Sequence, residues 1–335
     1  KLFWGGKTLT HFTPEDFVKK GPKYAAEFWA KKVEESSKLV GYSVDWRRKF
    51  TLSITPQFSR FVEWQYNTLR KKGYVAQGTH PVVWCPKDQS PTGDHDRLIG
   101  EGESPAEYTI LKFKYDDYIL PAATLRPETI YGVTNIWINP EAEYVLAEID
   151  EEKWIISKEA ALKLRDQLKK VGTLHPFNIS KIIGDDCTEP IKDRPITILP
   201  SSFVDPKNAT GVVMSVPAHA PFDWIALKEL KEEYNADHIK PINVIKIDNF
   251  GQFPAVEVCE KMNITSLSQK DLLDEATSII YKKEFHTGII ATGRYAGLKV
   301  SESKEKLTKD FIDQNIADKM WEVNDVVCRC TTRCH

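Results

Sequence analysis

The chain has 335 residues, of which 41% are hydrophobic and 28% charged, and a formal net charge of −2. This is long enough for two domains, or one large domain with appendages, and the composition is that of an ordinary globular protein. The charge balance argues against a protein that binds nucleic acid over its whole surface, and the longest apolar runs, such as Gly211 to Val216, fall far short of the ~18–20 residues of a membrane span.

No basic stretch followed by an apolar one opens the chain, so no signal peptide is expected and the cytoplasm is the expected compartment. The sequence opens at Lys1 rather than Met, and an excised fragment is therefore the expectation.

From Pro14 to Val40, apolar residues recur at three- and four-residue spacing, which predicts a helix interrupted at Gly21-Pro22. A second helix is predicted from Pro56 to Lys72, with Phe58, Phe61, Val62, Tyr66 and Leu69 on one face and Gly73 as its stop. Between them, Tyr42 to Arg48 mixes aromatics with arginines; an aromatic seam rimmed by arginine is the simpler reading, stacking on nucleobases the other.

Beyond Gly73 the runs become short and strand-like: Pro81 to Trp84, Tyr108 to Lys114, Tyr118 to Ala123, Val145 to Ile149 and Trp154 to Ser157. A helix is predicted from Lys158 to Lys169, then strands at Ile196 to Leu199, Gly211 to Val216 and Ile242 to Ile247. Further helices are predicted at Phe222 to Tyr234, Asp271 to Lys283 and Ser301 to Asn315. Strands scattered among isolated helices without regular alternation predict an α+β, β-barrel-like domain rather than a doubly wound sheet. Basic clusters at Arg47 to Lys49, Arg70 to Lys72 and Lys163 to Lys170 could meet phosphates, although each reads more simply as a solvated helix face.

Two segments carry the most information. Ala122 to Gly132 and Ala209 to Asp223 each run from an apolar strand into a polar turn and then a helix-like stretch. Such chain ends leave backbone N–H groups unpaired and ready for a ligand. Threonine side chains in the first could line a small pocket, and the carboxylate of Asp223 could hold a cation. No Walker loop, G-x-G-x-x-G, G-x-S-x-G or H-E-x-x-H occurs. Ser215, His219 and Asp223 make only a weak triad, since spacing of four across Pro217 does not force them together.

The two segments resemble the editing domain of leucyl-tRNA synthetase, the insertion that hydrolyses wrongly charged tRNA. Ala122 to Trp137 looks like its threonine-rich segment. Ala209 to Asp223, with Trp224 to Leu227 opening a helix, looks like the opposite wall in archaeal and eukaryotic-type enzymes. Val44 to Arg48 and Phe61 to Gln65 resemble the stretch before the insertion, and Gly93 to Asp96 the connecting ribbon. The H-I-G-H-type and K-M-S-K-S-type motifs that bind ATP in class I synthetases do not occur. The resemblance therefore implies helical catalytic-domain flanks over 1–75, a ribbon over 76–106, the editing domain over 107–320 and a return strand over 321–335, without amino-acid activation by this chain.

The same resemblance implies roles. Asp223 would bind the α-ammonium of the mischarged amino acid, Thr124 would hold the terminal ribose or the ester, and Arg126 would order that loop. Thr129 would obstruct the branched side chain of leucine, and Val213, Met214 and His219 would complete the substrate wall. A pocket separates one methylene by only about 1–3 kcal/mol, so a second sieve that excludes the correct product makes physical sense. Editing needs no cofactor; ATP belongs to the full-length parent enzyme. The implied partner is the acceptor end of tRNA(Leu) carrying a noncognate amino acid, together with the missing synthetase domains, and a monomer is expected. The rival readings are an inactive tRNA-binding appendage and a small-molecule hydrolase using Ser215 and His219.

Cys187 and Cys259 read as buried thiols. Cys328, Cys330 and Cys334 crowd the last eight residues next to His335, and this cluster could close around a structural zinc with Cys85, thiolates and imidazole being the preferred ligand types. Related synthetases often carry a C-P-x-C pair at this ribbon, but Asp88 stands in the second cysteine's place. Free thiols are the alternative.

Overall fold

The computed structural model describes residues 3–4, 7–8, 14–49, 55–167, 169–230, 234 and 236–335. The chain divides into two compact units, 1–80 and 81–335.

In the first unit, helix α1 (Pro14–Leu39) breaks at Gly21, which takes a left-handed φ of +74° ahead of Pro22. Proline cannot donate to the preceding turn, so the kink falls where the sequence places it. Helix α2 (Pro56–Lys71) starts on a proline at its first position and ends at Gly73, whose φ is +75°. Along it Phe61, Trp64 and Tyr66 are exposed.

The second unit is built on a ten-stranded mixed sheet. Strands β1 (Ala106–Tyr115) and β2 (Tyr118–Thr124) form a hairpin around Asp116 and Asp117, pairing Tyr115 with Tyr118 and Thr109 with Thr124. Then come β3 (Asn135–Ile138), β4 (Tyr144–Ile149), β5 (Glu152–Ser157), helix α3 (Lys158–Asp166) and β6 (Val171–Phe177). Strands β7 (Asp186–Thr188), β8 (Pro195–Pro200) and β9 (Val212–Ser215) follow. Helices α4 (Pro221–Leu230), α5 (Pro254–Lys261), α6 (Lys270–Thr287) and α7 (Val300–Asp313) precede β10 (Ala317–Glu322).

The order is β6-β4-β5-β2-β1-β7-β8-β3-β9, with β10 also on β1. Strand β1 is long enough to share one edge between two partners, β10 along Ala106 to Leu111 and β7 at Lys114. Two joins are parallel, β5 to β2 and β8 to β3. The sheet does not close into a barrel among the described residues; instead β9 packs against β2. That contact brings the ends of the two informative segments together.

Strand β3 is buried at all four positions, so it shows no alternation for a sequence reading to find. Strand β6 contains Gly172 and Pro176, lies at the sheet edge and carries a register shift between Val171 and Leu174, the setting in which such residues are tolerated. The core fills with Leu111, Phe113, Leu120, Ala122, Ile136 and Ile138 on the sheet and Leu307 on α7. A second cluster joins α4, α5 and α6 through Ile225, Val258, Leu273 and Ile280. Cys187 and Cys259 are buried as expected.

In the basic stretch from Lys163 to Lys170, Arg165 and Lys170 are exposed while the other two cations are engaged. Lys163 is buried against Glu322, and Lys169 pairs with Asp150 and Asp318. No helix among the described residues is long and apolar enough to cross a membrane.

Candidate active site

A cavity of about 380 Å³ opens where β2, β9, α4 and α6 meet, and its walls include Thr124, Arg126, Val213, Met214, Asp223 and Tyr281. Strand β2 delivers Thr124 at its last residue. The chain then turns through Leu125 and Arg126 into a fully buried 3-10 helix, Pro127–Gly132. The other wall begins at Gly211, with φ +71°, where a Cβ would stand 2.7 Å from the Ser157 Cβ. Only glycine fits there, and it aims β9 along the cavity.

Asp223 is 4% exposed. It sits in the first turn of α4, yet its carboxylate does not cap that helix. One oxygen accepts from Trp137 Nε1 at 3.1 Å and the other from the Val216 amide at 2.7 Å. No basic side chain pairs with it among the described residues. Burial pushes its pKa up to about 7, against the Val216 N–H, the Trp137 N–H and the more distant Arg126 charge, all of which pull it down. A carboxylate has about four lone-pair sites, so room for an incoming donor remains.

Arg126 is anchored from several directions. Its guanidinium pairs with Glu284 and with Glu128, the latter at 3.3 Å, and lies 4.3 Å from the centroid of the Tyr281 ring. Burial opposes its charge, but the Glu284 and Glu128 carboxylates outweigh burial and raise its pKa. Its Nη1 is buried without a protein partner. Thr124 Oγ1 accepts the Arg126 amide at 2.9 Å, which leaves the hydroxyl proton available to donate.

Thr129 and His219 are not among the wall residues. Thr129 lies one layer behind, 1% exposed, with its hydroxyl donating to the Arg126 carbonyl at 2.8 Å. His219 is fully buried: Nε2 accepts from the Val244 amide at 3.0 Å and Nδ1 meets Glu284 at 2.6 Å. Both ring nitrogens are thus committed. Ser215 is also fully buried, within reach of the Thr134 hydroxyl at 3.5 Å, so the Ser215–His219 hydrolase reading has no support in the geometry.

Trp137, Tyr281 and Glu284 escaped the sequence reading of the site. Trp137 stood at the end of a recognised segment but carried no signal of its own. Tyr281 and Glu284 lie on α6, where only packing reveals that they face the cavity and its floor.

At the ribbon, Cys85, Asp88, Cys328 and Cys330 each bring a donor atom within 4.8 Å of the others. Cys334 is not in this group. Its thiol faces Thr92 Oγ1 at 3.8 Å and the Thr332 carbonyl at 3.9 Å.

Residues 106–249 match the sequence family described as leucyl-tRNA synthetase, editing domain. The chain is 46% identical over 329 residues to the leucine–tRNA ligase of Methanosarcina barkeri, covering 93% of this chain and 34% of that protein. It is 41% identical to that of Methanocaldococcus jannaschii, covering 100% of this chain and 37% of the relative. The chain thus spans about a third of the length of these relatives. Among solved structures, GlLeuRS-CP1 is 26% identical with a TM-score of 0.57, over 63% of this chain and 97% of that one. The editing domain of the Plasmodium falciparum cytosolic leucyl-tRNA synthetase shares the fold, with a TM-score of 0.60 at 17% identity over 65% of this chain and 99% of that one. With both walls of the cavity inside or beside the matched region, the chain belongs to the leucyl-tRNA synthetase family and carries that family's editing domain.

Proposed function

We propose that this chain is a post-transfer editing module that hydrolyses the ester between a non-leucine amino acid and tRNA(Leu). The observation that carries the reading is Asp223: a buried carboxylate on a cavity wall, held by two neutral donors and lacking a cation of its own. The α-ammonium of an aminoacyl ester supplies that cation. A charge-assisted bond of this kind is worth about 1.5–3 kcal/mol and fixes the ester inside the cavity.

Around that anchor, Thr124 donates its hydroxyl to the ribose or the ester, and Arg126, held by Glu284 and Glu128, keeps this loop in place beside it. Val213 and Met214 supply the apolar wall against which the amino-acid side chain is sized. Thr129 acts on this sieve from behind, through the Arg126 loop. Water attacks the ester carbonyl and the ribose oxygen leaves as a hydroxyl. A water held between fixed donors suffices: its proton passes to the departing ribose oxygen with the help of the neighbouring ribose hydroxyl, and no protein side chain or cofactor takes it. The partner is the tRNA acceptor end, the compartment is the cytoplasm, the chain acts as a monomer, and ATP serves only the whole synthetase.

The test is deacylation of isoleucyl-tRNA(Leu) and leucyl-tRNA(Leu) by the purified chain. Release of isoleucine with sparing of leucine is expected. Binding without turnover makes the chain a tRNA-binding appendage and overturns the reading.

A further inference from the structure

We propose that helix α6 reads the nucleotide half of the substrate, with Lys270 binding the 5′-phosphate of the terminal nucleoside and the Thr277 hydroxyl donating to its ribose. The assignment rests on the editing reading above. Lys270, Thr277 and Tyr281 all stand on the cavity wall. They are spaced by seven and four residues, which puts them on one face of the helix. Tyr281 marks the Asp223 end: its ring centroid lies 4.3 Å from the Arg126 guanidinium, and the Asp223 charge acts on it. At about 1.5 Å of rise per residue, Thr277 stands about 6 Å along the helix from Tyr281, and Lys270 about 10 Å further.

The charges on the walls are divided in the same way. Arg126 and Lys270 are the cations among the wall residues. Arg126 is already neutralised by Glu128 and Glu284, so little of its charge is left for an anion. Lys270 makes no ion pair among the described residues. It occupies the first position of α6, where the helix dipole disfavours a cation, so the helix itself gives no reason for a lysine there. Thr277 is unexplained by the fold in the same sense. A helical threonine commonly bonds a carbonyl one turn back, yet its Oγ1 is buried with no protein partner. Such a hydroxyl calls for a partner, and a ribose oxygen in the cavity supplies one. An aminoacylated nucleotide carries its two charges at opposite ends, α-ammonium and 5′-phosphate, with ester and ribose between them. Asp223, Thr277 and Lys270 present the matching series of anion, neutral donor and cation.

The experiment uses the full 335-residue chain and a hydrolysis-resistant probe, 3′-deoxy-3′-(isoleucylamino)adenosine, with and without a 5′-phosphate. Binding is measured by titration calorimetry at low salt. The parent should bind the phosphorylated probe roughly fivefold more tightly, the upper end for a partly solvated ion pair. Lys270→Ala should erase that preference while keeping the affinity for the unphosphorylated probe, and Lys270→Arg should retain the preference. Thr277→Val, which keeps the shape without the hydroxyl, should weaken both probes by the same roughly three- to tenfold factor, and Thr277→Ser should bind both as the parent does. Equal affinity of the parent for the two probes, or a phosphate preference that survives Lys270→Ala, would overturn the role of Lys270. Parent-like binding by Thr277→Val would overturn that of Thr277. Failure of the parent to bind either probe would sink the editing reading itself, and this assignment with it.

Discussion

Asp223 and Glu284 are buried carboxylates in the same unit, and they are held in opposite ways. Glu284, fully buried behind the cavity, is saturated: Arg126 and His219 occupy its two oxygens. Asp223, on the cavity wall, rests on two neutral N–H donors and has no counter-charge. Burying an acid is unfavourable unless a partner offsets it. Where the partner is built in, the acid is part of the frame. Where it is missing, the site is completed by whatever cation enters.

Removing the saturated acid should give the largest effect. Glu284→Ala strands the Arg126 charge and the His219 ring in the interior, so a loss of about 3–5 kcal/mol in stability is expected. Chemical denaturation reads it; a variant as stable as the parent would show that Glu284 is no frame residue.

Asp223→Ala should do the reverse, leaving circular dichroism native while isoleucyl-tRNA(Leu) deacylation falls by about 10- to 150-fold, the equivalent of one charge-assisted bond. Near-normal turnover by the folded variant would show that Asp223 is not the anchor of the substrate.

The third expectation concerns pH. Asp223 titrates at about 7 in the folded chain and near 3.9 when unfolded. The native state therefore binds the extra proton between those values. Its stabilising contribution is whole below about pH 4 and is lost as pH rises through about 7. Melting temperature should fall across that window, and Asp223→Ala should flatten the slope. An unchanged slope in the variant would assign the titration to another group.

The smallest effect is expected at Thr129, where one hydroxyl bond of about 1 kcal/mol ties down the Arg126 loop. Thr129→Val keeps the bulk and removes that bond, whereas Thr129→Ala removes both. If the sieve works by bulk, only the alanine variant should hydrolyse leucyl-tRNA(Leu). If it works through the loop, both should.

Both cavity walls were legible because each is a contiguous segment whose residue order survives folding: Thr124 to Thr129 on one side, Val213 to Asp223 on the other. Their supports were not. Glu284 and Tyr281 come from a helix that begins some fifty residues later, and an ordinary amphipathic pattern gives no sign that two of its positions meet Arg126. The crowding of Cys328, Cys330 and Cys334 is visible in the sequence, and folding brings two of them beside Cys85. That crowding could not reveal that backbone geometry turns Cys334 toward Thr92 and brings Asp88 in. Buried strands such as β3, and edge strands such as β6, escaped because neither shows the alternation that marks a half-exposed strand.

At the ribbon, the Trp84 amide donates to the His335 carbonyl at 2.7 Å and the His335 amide donates back to Trp84 at 3.0 Å. Topologically, that makes the second unit a ring with a seam. Joining the chain across those two residues and opening it at the exposed Asp150-Glu151 turn would preserve every ladder of the sheet. Circular permutants succeed at sites of this kind. A permutant cut there should still fold with the cavity intact, measured by its deacylation of isoleucyl-tRNA(Leu). A permutant that does not fold would mean that the β4–β5 turn itself is needed to assemble the sheet. If the permutant folds, the cavity's architecture is independent of where along the ring the polypeptide starts.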